Sequence, residues 1–324
     1  MAKRVEGKGA QKEKGKEEVK KEGVKVGKLS IGLIILLAIF FLIVFSYISN
    51  LSTEKILVVP VKGVISSSDS GYLFFTEQAT APFITSCMDR ALKDGTIKAV
   101  VLDIDSPGGG VVASARVAEK VEEVRGSKPV VAVIEELGAS GAYWIASEAD
   151  TIIANPFSLT GSIGVTASYL EYGGLLNMFN VSYERLVTGE YKDITTPYRE
   201  LTPRERQIIL EKLGLIHEEF VNVISENRDI PKEDAERIAN GLFYLGKEAR
   251  ELGLVDELGD REDAEKRARE MANAENAVIT ECKHRGGFSD LFFGATVPLS
   301  YAVGEGIGNG FAKALSAQKF SINS

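Results

Sequence analysis

A chain of 324 residues can hold one large domain or two ordinary ones, and a charged fraction of 26% is typical of globular proteins. The formal net charge of −8 is unevenly distributed, because residues 1–28 carry ten Lys or Arg against five Glu and the remaining residues therefore carry −13. Such an acidic body offers no stripe of cations for phosphate groups, which argues against a nucleic-acid partner.

The first 50 residues join a basic segment to an apolar one. Residues 1–28 are rich in Gly, Glu and Lys and lack aromatic residues, which predicts a disordered segment. Residues 29–48 hold no charge over 20 positions, the length a helix needs to cross the roughly 30 Å hydrocarbon core. A cleaved signal peptide is the alternative, but its apolar region is usually about 7–15 residues long. We therefore expect a transmembrane anchor at residues 29–48.

The basic flank also predicts the orientation of this anchor. Positively charged flanks stay in the cytoplasm, so we expect a cytoplasmic N-terminus and an extracytoplasmic body in a single-pass protein of the cell membrane. Cys87 and Cys282 then lie outside the cytoplasm. Two distant cysteines give no spacing signal, so a disulfide and two buried thiols both remain open.

Apolar strands alternate with helices after residue 50. A β-rich run at residues 56–65 is interrupted by Pro60 and Gly63, which predicts two short strands or one bent strand. The next predicted elements are a helix at 83–93, a strand at 97–104, a glycine loop at 108–110, a helix at 111–125, a strand at 129–134, a glycine turn at 138–141, a helix at 142–149 and a strand at 151–154. This alternation predicts an α/β fold whose strands are covered on both faces.

The carboxyl-terminal half is predicted to be mainly helical. A helix at 201–227 is introduced by Thr202 and Pro203, an N-cap and first-turn pair, with Glu205 at the third helical position. Shorter helices are predicted at 232–239 and 261–274, and the second is so charged that we expect it to be solvated. Residues 286–324 are rich in Gly and Ser and predict a flexible tail, so the globular region covers residues 49–285.

Histidine and metal chemistry have little support in this sequence. The chain has two histidines, His217 and His284, and neither lies in a loop next to a candidate nucleophile, which argues against a Ser/His/Asp triad. An HExxH motif and a Cys/His cluster are both missing. We therefore expect neither a metal nor a cofactor, and ordinary structural or surface roles for both histidines.

Ser140 lies between small residues at a turn from a strand into a helix, where a substrate can approach the backbone closely. The free N–H groups and the positive dipole end of a helix N-terminus favour a developing negative charge there. A serine at such a position is also an ordinary N-cap residue. Taken alone, the local pattern favours the N-cap interpretation.

A second glycine turn, Gly108-Gly109-Gly110, follows the preceding strand. Its bare N–H groups are suited to binding an oxyanion. Phosphate binding is the usual alternative, but the GxxxxGK[ST] and GxGxxG patterns are both absent. Two such turns on successive strands could converge on one carbonyl group.

Several uncommon strings extend this pattern: DSPGGG at 105–110, GASGAYWIAS at 138–147, ADTIIANPFSLTGSIGV at 149–165 and TGEYKD at 188–193. In order and spacing they resemble the signal peptide peptidase A family, over roughly residues 54–275. The resemblance implies a Clp protease/crotonase-like fold, in which strand-strand-helix units wind into a superhelix. It also implies a homo-oligomeric ring.

The resemblance assigns roles to particular residues. Ser140 matches the nucleophile, Lys192 the general base, and Ser162 the hydroxyl that holds the lysine amine. Gly108 matches the main-chain oxyanion donor. The N–H of Gly141, directly after the nucleophile, is the natural second donor.

A lysine base makes its own physical demand. Its amine must be neutral near the operating pH, so the pKa of such a lysine must fall from about 10.4 toward about 7–8. Desolvation lowers this pKa, whereas a nearby carboxylate raises it. We therefore expect the side chains of Glu190 and Asp193 to point away from the Lys192 amine.

The function implied is that of a membrane-anchored serine endopeptidase, held in the bilayer by residues 29–48, that cleaves remnant signal peptides or other short apolar peptides near the membrane. One alternative is the related membrane protease that accompanies stomatin-like proteins, although TGSIGV and TGEYKD favour the first family. Another is a crotonase-like enzyme acting on acyl-coenzyme A, a compound that an extracytoplasmic domain would not normally meet. The third, a non-catalytic ring scaffold, conflicts with the presence of Ser140 and Lys192.

Overall fold

The computed structural model divides the chain into two units, Met1–Ser52 and Thr53–Ser324. The residues it describes are 33, 35–43, 53–68 and 79–283. In the first unit, the described residues 33 and 35–43 are helical. Within the described parts of the chain, no helix is both long enough and apolar enough to cross a bilayer.

Several predictions concern residues outside this description. The disordered segment at 1–28 and the flexible tail at 286–324 lie wholly outside it, as does His284. About half of the predicted anchor at 29–48 also lies outside it. The transmembrane anchor therefore stays a prediction.

The second unit is built on a sheet whose main strands all run parallel. The strands are β1 Lys55–Lys62, β2 Ile65–Ser66, β3 Ala79–Thr80, β4 Ile97–Ser106, β5 Val130–Ala139, β6 Thr151–Ala154, β7 Leu159–Gly161, β8 Phe243–Leu245, β9 Glu257–Leu258 and β10 Val278–Glu281. The central order of the sheet is β10-β1-β4-β5-β6-β9. Strand β7 pairs in parallel with the end of β5 and antiparallel with β8, and β2 and β3 form a separate pair.

Helices connect these strands and cover the sheet. They are α1 Ala81–Lys93, α2 Val111–Arg125, α3 Gly141–Ser147, α4 Gly173–Met178, α5 Pro203–Asn227, α6 Lys232–Ile238, α7 Gly246–Glu251 and α8 Arg261–Met271. The α/β fold and its parallel sheet are thus as the alternation of strands and helices predicts.

Both faces of the sheet are buried, as expected for parallel strands rich in Val and Ile. Along β1, Leu57 and Val59 pack into a core shared with α1, α2, α3 and α5. Ile56 and Val58 point the other way, into a smaller core closed by α8. The prediction that α8 is a solvated helix is therefore wrong for one face, where Ala264 and Ala268 are fully buried.

Two glycine-containing segments compare differently with their predictions. The run at 56–65 forms two strands, separated at Gly63, which adopts a positive φ of 77°. By contrast, the turn predicted at 138–141 is shorter than expected, because β5 continues through Ala139. The passage from strand to helix therefore takes place at Ser140 alone, between Ala139 and Gly141.

A disulfide joins Cys87 of α1 to Cys282, which directly follows β10. The two residues are 195 positions apart, yet they meet because β10 pairs with β1, against which α1 packs. Both side chains are buried. Of the two alternatives that the sequence left open, a disulfide and two buried thiols, the structure has the disulfide.

Candidate active site

The two glycine turns meet at one edge of the sheet. Strands β4 and β5 are parallel neighbours, and Ser106 at the end of β4 pairs with Gly138 near the end of β5. A β-carbon placed on Gly108 would lie 2.7 Å from the nitrogen of Gly141 and 3.0 Å from the β-carbon of Ser140. The fold therefore brings Gly108, Ser140 and Gly141 together, as sequence reasoning expected for turns on successive strands.

Ser140 has an unusual backbone conformation. Its φ of 53° and ψ of −125° lie in a region that residues with a side chain rarely occupy. Two hydrogen bonds hold it there: its N–H donates to the carbonyl of Gly161, 2.8 Å away, and its carbonyl accepts from Trp144, 3.0 Å away. Backbone strain of this kind clusters at functional sites, where the surrounding structure maintains it.

The Ser140 hydroxyl is not used to cap helix α3. An N-cap residue normally has extended backbone angles and accepts a hydrogen bond from an N–H of the first turn. Ser140 has neither feature, and its hydroxyl forms no hydrogen bond with a described residue. The half-buried hydroxyl is therefore free for another role, and the N-cap interpretation is wrong.

Helix α3 gives this serine a rigid support, since all its residues are buried. The hydroxyl of Tyr143 donates to the carbonyl of Leu254 at 2.8 Å, and burial raises the pKa of Tyr143, so the donor stays protonated. The ring of Trp144 stacks on that of Phe220 of α5, with centroids 4.8 Å apart. A residue on such a fixed element is held in a defined position.

The main-chain donors near Ser140 differ in their availability. The N–H of Gly108 donates to the hydroxyl of Ser106 at 3.1 Å, so it can bind an oxyanion only by leaving or sharing that oxygen. The N–H groups of Gly109 and Gly141 donate to no described residue. From the sequence, Gly109 was expected only to share the bare N–H groups of the glycine turn, and Ser106, in the same DSPGGG string, was given no role.

Ser162 lies next to this turn. It follows Gly161, whose carbonyl holds the N–H of Ser140, and it too has a positive φ, of 48°. Its hydroxyl donates to the carbonyl of Gly241 at 3.3 Å. Ser162 therefore lies beside the candidate nucleophile, and no hydrogen bond joins its hydroxyl to Lys192 within the described residues.

Lys192 forms no hydrogen bond with Ser140 within the described part of the chain. It lies in a turn that its own N–H closes by donating to Gly189 at 3.2 Å. Its side chain is exposed and forms no hydrogen bond or ion pair with a described residue. For Asp193 the expectation is confirmed, because its carboxylate binds arginines rather than the Lys192 amine; for Glu190 it stays a prediction.

Asp193 is instead bound by two arginines that sequence reasoning missed. Arg185 donates to both of its carboxylate oxygens and Arg199 to one of them. The two arginines are eight and six positions away and belong to none of the recognisable strings, so no local signal identified them. The ring of His217, as expected, has a structural contact, 2.8 Å from the carbonyl of Ala239.

Comparison with known proteins agrees with this geometry. Residues 122–275 match the profile of peptidase family S49, a region that includes Ser140, Gly141, Ser162 and Lys192. A candidate protease of Methanocaldococcus jannaschii is 37% identical over 239 residues, which cover 73% of this chain and 75% of that protein.

Two further relatives carry more specific names. A candidate signal peptide peptidase SppA of Enterococcus faecium is 31% identical over 245 residues, which cover 75% of this chain and 71% of the relative. Protease 4 of Haemophilus influenzae is 31% identical over 221 residues, which cover 68% of this chain and 35% of that longer protein. The profile match and the two long alignments agree with a serine on a strained turn whose hydroxyl has no hydrogen-bond partner among the described residues. The chain therefore belongs to peptidase family S49 and is a serine peptidase.

Proposed function

We propose that this chain is a membrane-anchored endopeptidase in which Ser140 is the nucleophile and Lys192 the general base. The observation that carries the proposal is the Ser140 turn. Its hydroxyl is free of hydrogen bonds to described residues, and it stands at a strained turn against Gly108 and at the start of helix α3. Nucleophiles of hydrolases are often presented on such strained strand-to-helix turns.

The first half of the proposed reaction forms an acyl-enzyme. The neutral amine of Lys192 takes the proton of the Ser140 hydroxyl as its oxygen attacks the carbonyl carbon of the peptide. The resulting oxyanion is held by the N–H groups of Gly141 and Gly108, with that of Gly109 adjacent in the same loop. The carbon–nitrogen bond then breaks, and the Lys192 ammonium gives its proton to the leaving amine.

The second half returns the enzyme to its starting state. A water molecule loses a proton to Lys192 and attacks the acyl carbon, which again forms an oxyanion at the same donors. The bond between carbon and the Ser140 oxygen breaks, and the proton on Lys192 passes to that oxygen. Ser162 is proposed to hold the lysine amine in position during both halves.

Assembly is part of the proposal, because Lys192 must meet Ser140 in a site that excludes water. The segment that carries Lys192 exposes several large apolar side chains, among them Leu170, Met178, Phe179 and Leu186, each at least 70% exposed. Exposed apolar patches of this kind mark association surfaces. We propose that copies of this chain cover them in a homo-oligomeric ring of Clp protease/crotonase-like subunits.

The proposed place of action is the outer side of the cell membrane. Residues 29–48 form the anchor, the basic residues 1–28 stay in the cytoplasm, and residues 49–285 form the extracytoplasmic peptidase domain ahead of a flexible tail at 286–324. The disulfide between Cys87 and Cys282 supports this orientation, because disulfides persist mainly in oxidising compartments. Remnant signal peptides, which are apolar and released at the membrane, are the proposed substrates.

Cleavage profiling of a peptide library with the full-length protein in detergent tests this function. We expect cleavage within apolar peptides, and a loss of kcat/KM of about 10⁴-fold or more in both Ser140→Ala and Lys192→Ala, because the nucleophile and its base act as a unit. Thermal unfolding should be unchanged in both.

Matched controls are Ser127→Ala, which lies before β5 at the opposite edge of the sheet, and Lys266→Ala, on the exposed side of α8. Both controls should retain wild-type turnover. Substantial turnover by Ser140→Ala or by Lys192→Ala would remove that residue from the proposed dyad.

A further inference from the structure

Asp193 poses a problem for the proposed base, because it directly follows Lys192 in the chain. A carboxylate close to an amine stabilises the charged ammonium form, and an ammonium cannot accept the proton of a serine. A functional Lys192 therefore needs the Asp193 carboxylate to be kept occupied elsewhere.

Arg185 binds this carboxylate at short range. Its Nε lies 2.9 Å from each of the two carboxylate oxygens of Asp193, and its Nη2 lies 2.7 Å from Oδ1. Arg199 adds a fourth bond, from its Nη2 to Oδ1 at 3.2 Å. The Asp193 side chain is only 13% exposed, and its hydrogen bonds, those from Arg185 first, hold the pKa of this carboxyl far below its usual range.

Arg185 also fixes the backbone around Lys192. Its Nη2 donates to the carbonyl of Glu190 as well as to Asp193. One guanidinium therefore binds the residues on both sides of the turn that presents Lys192. A guanidinium fork can do this because it carries several donors in a fixed plane.

Arg199 ties the same turn to helix α5. Its two terminal nitrogens lie 2.8 Å and 2.7 Å from the carboxylate oxygens of Glu205, a buried residue. Glu205 in turn accepts from the N–H of Thr202 at 2.9 Å, within the capping box that starts α5. The Lys192 turn is thus anchored through Asp193 and Arg199 to the end of a 25-residue helix.

The charges of this cluster balance. Arg185 and Arg199 oppose Asp193 and Glu205, so these four groups have no net charge. Beyond them, the titratable groups nearest in the chain are Glu184 and Glu200, next to the two arginines, and Glu190, Tyr191 and Lys192 itself, on the same turn. Tyr183 and Tyr198 follow, with ring centroids 5.3 Å apart. In the described part of the chain, neither Glu190 nor Lys192 takes part in an ion pair through its side chain.

We propose that Arg185 and Arg199 are positioning residues for the peptidase reaction: they hold the Asp193 carboxylate away from the Lys192 amine and fix the turn that carries it. The inference rests on the proposed function, in which Lys192 is the base. Neither arginine needs to touch the substrate for this role.

The test is the pH dependence of kcat/KM in Arg185→Gln, which removes three of the four hydrogen bonds to Asp193. The released carboxylate should favour the ammonium form of Lys192. The rising limb, the pH range over which kcat/KM increases as Lys192 loses its proton, should therefore shift to higher pH by about one unit. At a fixed pH below the limb, kcat/KM should fall by about 10-fold. The double variant Arg185→Gln/Asp193→Asn should return the limb to its wild-type position.

Arg204→Gln is the matched control, because Arg204 is an exposed arginine on α5 with one long contact, 3.9 Å, to Glu211. Its profile should match that of the wild type. An unmoved limb in Arg185→Gln, or a shift that Asp193→Asn does not reverse, would overturn the inference. The proposed function has its own test, because turnover by Lys192→Ala would contradict it. If Lys192→Ala is inactive but the rising limb of Arg185→Gln stays at its wild-type pH, only the positioning role of the arginines is overturned.

Discussion

At the scale of the residue, Ser140 shows what a local pattern can and cannot predict. Small neighbours and a strand-to-helix turn placed this serine at the start of a helix, which the structure confirms. The pattern could not separate an N-cap from a nucleophile, because both need a serine at that position. The difference lies in a positive φ, at a residue whose N–H donates to the carbonyl of Gly161, and in a hydroxyl that forms no hydrogen bond with a described residue.

Lys192 shows the opposite case. Nothing in its local composition distinguishes it from a surface lysine, and in the structure its side chain is exposed. Its proposed role depends on the TGEYKD string and on the proposed assembly, which would exclude water from its amine. The arginines that hold Asp193 are equally invisible to motif reasoning, because they act through contacts rather than through spacing.

Gly108→Ala should abolish most of the activity while the fold persists. Gly108 has a φ of 92°, and an added β-carbon would lie 2.7 Å from the Gly141 nitrogen and 2.8 Å from the Ala139 carbonyl oxygen. The proposed oxyanion donors would be displaced, and loss of such a donor costs about 10²–10³-fold in kcat. Peptide hydrolysis measures this, with Gly95→Ala, whose β-carbon meets nothing within 4 Å, as the control. Near wild-type turnover by Gly108→Ala would exclude this glycine turn from the site.

At the scale of the element, a helix start could be predicted where its capping residues lie within a few positions of one another. The sequence Thr202-Pro203 with Glu205 predicted the start of α5, and the structure has the full capping box there. The strand pair β7 and β8 was missed, because each strand has three residues and they are more than 80 positions apart. The buried face of α8 was missed because it consists of alanines, which leave little apolar periodicity.

Glu205→Gln should destabilise the protein in a pH-dependent way. Hydrogen bonds from Arg199 first, and then from Thr202, lower the pKa of Glu205 to about 2. A lowered pKa means that the charged form stabilises the fold above the unfolded-state pKa, about 4.3, and that this stabilisation is lost as the pH falls toward 2. The difference in Tm between wild type and Glu205→Gln should therefore be constant above about pH 5 and shrink below it.

Thermal unfolding of both proteins at several pH values between about 2.5 and about 7 measures this difference in Tm. Glu211→Gln, an exposed glutamate on the same helix, should give only a small difference in Tm. A difference for Glu205→Gln that stays constant or grows as the pH falls would contradict the role of the Arg199 contact.

At the scale of the whole molecule, the alternation of apolar strands and helices predicted the fold class, because both faces of a parallel sheet must be covered. It could not predict which strands lie at the edges. Strand β10, from the end of the described chain, pairs with β1 from its beginning, and this pairing places Cys282 against α1. The disulfide is therefore a consequence of topology rather than of cysteine spacing.

Removing the disulfide should lower the free energy of unfolding by about 2–5 kcal/mol, because it constrains a long loop of the unfolded chain. Denaturant unfolding of the full-length protein compares wild type with Cys87→Ala/Cys282→Ala. The oxidised wild type should also show no free thiol until it is unfolded and reduced. Equal stability of the two proteins, or titratable thiols in the unreduced wild type, would show that the bond does not form.

The central claim, that Ser140 is a nucleophile activated by Lys192, is tested most directly by a fluorophosphonate probe. The full-length protein in detergent is labelled near neutral pH, and the modified peptide is located by mass spectrometry. We predict one labelled residue, Ser140, and labelling that is strongly slowed in Lys192→Ala but unchanged in Lys266→Ala. Label on another serine, or equal labelling rates with and without Lys192, would contradict the account.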